Sequence, residues 1–200
     1  MRDVIFATTN KGKIREVDRL LDGMPFGLKS LSDFFDPLPQ IPETGATFEA
    51  NALQKATWVF DRTGVWTIAD DSGLEVDALN GQPGVFSARF SGEGATDLRN
   101  TQKLLEMLSG VALEKRTARF VCCATLYRGI DLCSMSRGTC EGHIDFSPAG
   151  GGGFGYDPVF VPDGFDTTFG QIDLESKNKI SHRGKAFGGL MRMMKEIAAE

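Results

Sequence analysis

Asp70 and Asp71 stand side by side in "IADDSGL", directly after the apolar run Trp66-Thr67-Ile68-Ala69. Two adjacent carboxylates before Ser72 and Gly73 suit either an acidic surface turn or a place where a divalent cation and a water are held. They do not form an EF-hand loop, which needs acids at alternate positions and a glycine at the sixth. Consecutive side chains on a strand diverge, so one acid can face a cleft while the other braces the turn. Glu43, in "PETGATF", is a third carboxylate within a proline-rich stretch.

Cations gather elsewhere. The stretch Thr8-Thr9-Asn10-Lys11-Gly12-Lys13 follows an apolar run and opens a helical pattern. A tight turn into a helix N-terminus offers backbone N–H groups and a positive dipole end to an anion, and the lysines add charge. The spacing is not that of a Walker A loop. The same stretch also reads as a capped helix with solvated lysines. "ESKNKISHRGK" supplies Lys177, Lys179, His182, Arg183 and Lys185, either as a solvated basic stretch or as a polar recognition loop. Between these, "GGGGFGYDP" brings Phe154 and Tyr156 beside four glycines, which permit close backbone approach or a flexible loop.

These clusters need elements to place them. "DVIFATT" reads as a buried strand and "NKGKIREVDRLLDG" as a helix with Ile14, Val17, Leu20 and Leu21 on one face. The segment 31–42 is loop-like. "TFEANALQKATWVFDRTG" is a second helix, capped by Thr47, with a stripe of Phe48, Ala52, Ala56, Val59 and Phe60. "VWTIA" is a strand ending at Asp70. "TDLRNTQKLLEMLSG" is a third helix, capped by Thr96 and stopped by Gly110. "RTARFVCCATLYRG" and "DLCSMSRGTCEG" form a hairpin around Arg128-Gly129. "KAFGGLMRMMKEIAAE" is a closing helix, weakened by Gly188 and Gly189 and preceded by Ser181 as a cap. Mixed helices and strands predict an α/β protein.

A chain of 200 residues with 41% hydrophobic content suits one domain, with two lobes allowed. The net charge of −5 argues against a nucleic-acid-coating protein, which shows a basic face. The N-terminal apolar run is too short for a signal peptide, and no segment reaches membrane-spanning length. Cys122, Cys123, Cys133 and Cys140 lack a C-x-x-C pair, so buried free thiols of a reducing compartment are expected.

Carboxylates for one divalent metal, cations for a polyphosphate, and an aromatic with donors for a base together fit a nucleoside triphosphate. Mg²⁺ often takes one or two carboxylates plus substrate phosphates.

The segments "ATTNKGKIREV", "ETGATFEANALQKA", "IADDSGLEVDALNGQPGVFSARFSG", "GGFGYDPVF" and "ISHRGKA" resemble the inosine triphosphate pyrophosphatase family, in that family's order and over almost the whole chain. Thr9 replaces a glycine common in relatives. The resemblance implies an α/β fold with an elongated central mixed β-sheet flanked by helices, and two lobes with the active-site cleft between them. It implies a single domain over residues 1–200, a cytoplasmic homodimer, and neither nucleic-acid nor membrane partners. The implied reaction is hydrolysis of ITP, dITP and XTP to the monophosphate and pyrophosphate, with Mg²⁺ as cofactor.

Carried onto this sequence, Thr8, Thr9, Asn10, Lys11, Gly12 and Lys13 contact the substrate, with Asn10 and Lys13 near the phosphates. Glu43 and Asp71 hold Mg²⁺, and Asp71 also matches the proton acceptor. Ser72 touches the substrate. Phe154, Gly155, Tyr156 and Asp157 pack on and bind the nucleoside. Lys177, His182 and Arg183 complete the phosphate and base contacts, and donors on the last two favour a 6-keto purine. Asp70 is left as a brace or a second metal ligand.

Overall fold

The computed structural model describes residues 2–199. The first strand, β1 (Arg2–Phe6), leads through a short turn into α1 (Lys11–Leu20). Asn10 caps that helix, accepting from the amides of Gly12 and Lys13. β2 (Phe26–Lys29) follows, and one 3-10 turn (Leu31–Asp33) opens the proline-rich stretch. α2 (Phe48–Thr63) is capped by Thr47, whose hydroxyl accepts from the Ala50 amide, and closed by Gly64 in the left-handed region. Then come β3 (Thr67–Val76), α3 (Asp97–Met107), β4 (Thr117–Tyr127) and β5 (Cys133–Ile144). A three-residue strand, β6 (Phe160–Pro162), precedes α4 (Leu174–Ile180) and α5 (His182–Ala199).

Among the described residues the six strands lie in the order β2-β1-β3-β4-β5-β6. β1 runs parallel to both β2 and β3, while β5 and β6 are antiparallel, so the sheet is mixed. The α/β class, with a mixed sheet flanked by helices, is therefore as expected. Among the described residues no helix is long and apolar enough to cross a membrane.

The chain divides into two compact units. The first comprises Met1–Asp71, Cys122–Gly138 and Arg183–Glu200; the second comprises Ser72–Val121 and Thr139–His182. In the first, Val4, Phe6, Val17 and Ile68 pack with Phe187 and Leu190, and a second cluster joins Ile5, Ala56, Val59 and Ala69. Burying such side chains is the main stabilising term, at about 25 cal/mol per Å² of apolar surface. In the second, Leu74, Leu104, Phe120, Phe160 and Phe169 form the core.

Three expectations are corrected. β3 does not end at Asp70; it continues through both aspartates to Val76. Aspartate is a poor strand former, but tertiary partners override that preference here. The "ESKNKISHRGK" stretch is helical, not a loop: α4 ends at Ile180 and α5 starts at His182, with Ser181 between them in an extended conformation. Cys133 is exposed, whereas Cys122, Cys123 and Cys140 are buried. Gly189 in α5 has a packing reason, because a Cβ there would collide with the Ser136 hydroxyl.

Candidate active site

Strand alternation decides what each of the adjacent aspartates does. Asp70 shares its side of β3 with Ile68, toward the cluster that includes Val17 and Phe187. Asp71 shares its side with Ala69, toward the cluster that includes Ala56 of α2. The pair is thus split between two environments within the first unit.

Asp70 is fully buried. Its Oδ2 lies 2.9 Å from Lys13 Nζ and 3.3 Å from Arg183 Nε. Arg183, itself buried, gives its Nη1 to Glu16, which sits one helical turn after Lys13 on α1. The Cys122 thiol points at the same carboxylate oxygen from 3.8 Å. Burial alone would raise the Asp70 pKa, but Lys13, Arg183 and Lys55 together hold it well below the usual carboxylate range. Asp70 is a locked anion that ties α1 and α5 to β3.

Asp71 is nearly as buried, yet its balance runs the other way. Burial pushes its pKa up, and Glu43 adds to this, against Lys55, Lys13 and a hydrogen bond from Asn51. The Asn51 amide donates to Asp71 Oδ2 at 2.9 Å, while its Oδ1 accepts from the Gly45 amide at 2.7 Å. Lys55, one turn further along α2, lies 2.5 Å from Glu43 Oε1 and 3.9 Å from Asp71 Oδ1. Burial works against its charge, but Asp70, Glu43 and Asp71 prevail and raise its pKa. Gln54 accepts from the Thr44 amide at 3.0 Å, so α2 fixes the stretch that presents Glu43 from three side chains. Two neighbouring carboxyl groups whose environments push their proton affinities apart are the arrangement that lets one of them work as a base.

The carboxylates of Glu43 and Asp71 share one cation, the Lys55 ammonium. Among the described residues no group of three or more His, Cys, Asp and Glu side chains is placed to hold a metal alone. Two hard oxygen donors fit a Mg²⁺ ion that draws its other ligands from water and phosphate.

The remaining expected residues fall as follows. Asn10 spends its Oδ1 on Gly12 N at 2.8 Å and Lys13 N at 3.1 Å, so the α1 N-terminus is already capped by its own side chain. Thr8 Oγ1 accepts from Asn10 N at 3.2 Å; Thr9 and Lys11 are exposed. Ser72 is half-buried. The described contacts of Arg183 run to Glu16 and Asp70, a different setting from the base-facing donor that the sequence led us to expect.

In the second unit, Asp157 and Lys177 form a buried pair at 2.7 Å. The same Asp157 oxygen accepts from the Phe154 amide at 2.8 Å. Lys177 Nζ lies 5.1 Å from the centroid of the Phe154 ring, which is half-exposed. Tyr156 is not an open face; it is buried and donates its hydroxyl to Ser87 O at 2.9 Å. His182 is buried and stacks on Phe120, with ring centroids 4.6 Å apart and planes inclined by 10°. Of the two expected aromatic residues, Phe154 is half-exposed and Tyr156 is buried.

One glycine of the run is required by this arrangement. Gly153 has φ of +73°, and a Cβ there would strike the Asp157 carboxylate. Gly153→Ala is expected to lower stability by more than about 1 kcal/mol, from strain and displacement of the Asp157–Lys177 pair. Urea unfolding checks this; an unchanged midpoint would remove the constraint.

Sequence reasoning missed Asn51, Lys55 and Glu16. Asn51 and Lys55 lie at i and i+4, each one residue before an alanine of the apolar stripe read on α2. A polar pair running along the edge of a buried stripe was the available signal.

A profile of the Ham1 family matches residues 4–193. The dITP/XTP pyrophosphatase of Geobacter sulfurreducens is 50% identical over 192 residues, covering 93% of each chain. That of Bacillus licheniformis is 45% identical, covering 97% of this chain and 98% of its own. The solved structure of a HAM1 protein from Coxiella burnetii superposes with a TM-score of 0.88 at 38% identity, covering 98% of this chain and 100% of its own.

Proposed function

Because this chain belongs to the Ham1 family, we propose that it hydrolyses non-standard purine nucleoside triphosphates, dITP and XTP together with ITP, to the monophosphate and pyrophosphate. The observation that carries the mechanism is the split between the two aspartates of β3. Asp70 is held as an anion by Lys13 and Arg183. Asp71 is held near Glu43 and Lys55 with a raised proton affinity.

Asp71, held in place by the Asn51 amide, takes the proton of the water that attacks the α-phosphorus. The α–β bridging oxygen leaves with the pyrophosphate. Glu43 and Asp71 would hold Mg²⁺, which when bound draws charge from the phosphate oxygens. Lys13, Lys11 and the stretch 8–12 bind the phosphates, and Ser72 adds a hydroxyl. In the second unit, Phe154 supplies a face for the purine, while Gly155, Tyr156, Asp157, Lys177 and His182 shape that platform. Arg183 acts mainly by fixing Asp70. Residues 1–200 work as one domain, in a homodimer that draws on the cytoplasmic nucleotide pool, without nucleic-acid or membrane partners.

Hydrolysis of XTP in H₂¹⁸O tests the point of attack. The label is expected in the monophosphate. Label in the pyrophosphate would place attack on the β-phosphorus and remove Asp71 from its assigned position.

A further inference from the structure

The helix α3 of the second unit grips Gly155, one residue of the purine platform, by both backbone groups. Asp97, its first residue, accepts from Gly155 N at 2.7 Å. Thr101, one turn later and buried, donates its hydroxyl to Gly155 O at 3.4 Å. The two side chains stand at i and i+4, so they project from one face of the helix. Gly155 itself has φ of +62°, a conformation that needs outside support to be the single one adopted.

The residues on either side of Gly155 are fastened separately. Phe154 N goes to Asp157, and the Tyr156 hydroxyl goes to Ser87 O. Asn100 of α3 reaches that same carbonyl, donating to Ser87 O at 3.3 Å and Ala88 O at 3.1 Å. Its Oδ1 accepts from Ser91 N at 2.8 Å and Ser91 Oγ at 2.7 Å. One helix therefore holds both the platform and the segment on which Tyr156 is anchored.

Helix capping does not explain Asp97, because Thr96 is the cap and accepts from Arg99 N. We infer that Asp97 and Thr101 are positioning residues for purine recognition: by fixing the Gly155 peptide they set the orientation of the Phe154 ring. This rests on the reading of residues 154–157 as the purine platform. The residues act through Gly155, so they bear on binding of the base rather than on transfer at the α-phosphorus.

The test is steady-state hydrolysis of XTP, read as pyrophosphate, for the wild type, Asp97→Ala, Asp97→Asn and Thr101→Val. It is paired with amide hydrogen exchange at Gly155. Asp97→Ala is expected to raise KM about tenfold with kcat within about twofold, since an interaction made equally before and during reaction is lost. Exchange at Gly155 is expected to quicken. Asp97→Asn, whose carboxamide oxygen still accepts, is expected to restore most of both. Thr101→Val gives the same split if Asp97→Ala does not fold. A fall in kcat at constant KM, or faster exchange with KM unchanged, overturns the inference. A wild type that releases no pyrophosphate from XTP overturns the functional reading instead, and the exchange data then decide the clamp alone.

Discussion

Asp71→Asn is expected to lower kcat for XTP by about 10²- to 10⁴-fold, the usual contribution of a positioned general base. The variant is expected to melt no lower than the wild type. The sign follows from the raised pKa of Asp71 in the folded state. A carboxyl whose folded pKa is raised favours folding below its unfolded pKa. That advantage is lost as pH rises through the folded value. At neutral pH the ionised Asp71 is therefore a cost that asparagine, neutral and nearly isosteric, removes. Asn51 keeps an oxygen to donate to, and Lys55 keeps Glu43 at 2.5 Å. Wild-type turnover by Asp71→Asn would take the base role away from this residue. A collapse of the fold would show that Asp71 is structural.

The second large effect is on stability. Arg183→Leu is expected to cost about 3–5 kcal/mol, because it leaves Glu16 and Asp70 buried without their shared cation. Arg183 is 2% exposed and Asp70 is 0% exposed, so water cannot substitute. Urea unfolding should show a lower midpoint at unchanged slope. Its pH dependence is also set. The folded pKa of Asp70 is depressed, despite burial, by Lys13, Arg183 and Lys55. Its contribution is present above the unfolded aspartate value and disappears as pH falls through the folded one. The gap between wild type and variant should thus be widest near neutral pH and narrow on acidification. A loss within about 1 kcal/mol at every pH would mean that Arg183 does not hold Asp70 in place.

Much of the framework was legible in local patterns. Thr47 and Thr96 cap α2 and α3 as read, since an N-cap hydroxyl needs only the next turn of its own helix. The apolar faces of α1 and α2 likewise follow from spacing alone. The length of β3 was not legible, because the groups that keep Asp70 and Asp71 in a strand come from α1, α2 and α5. α4 was hidden in a basic stretch whose Lys177 is buried and matched by Asp157, twenty residues earlier. β6 is three residues long among glycines and prolines, too short to carry a period.

The same division runs through the site. Glu43 and Asp71 stand out as carboxylates in a motif, but Lys55 and Asn51 look like ordinary helix residues until α2 is laid against β3. Arg183 beside His182 fits a solvated basic stretch or a polar recognition loop equally well. Its burial against Glu16 depends on a contact between α1 and α5 that no local pattern encodes.

The measurement that bears most directly on the central claim is a kcat/KM comparison of XTP, dITP and ITP with ATP, dGTP and dTTP. Each is run with Mg²⁺, with pyrophosphate and orthophosphate quantified separately. Stoichiometric pyrophosphate is expected from XTP, dITP and ITP, with little product from ATP, dGTP or dTTP and loss of turnover on chelation. Orthophosphate as the product, or equal kcat/KM for ATP and XTP, would contradict the claim.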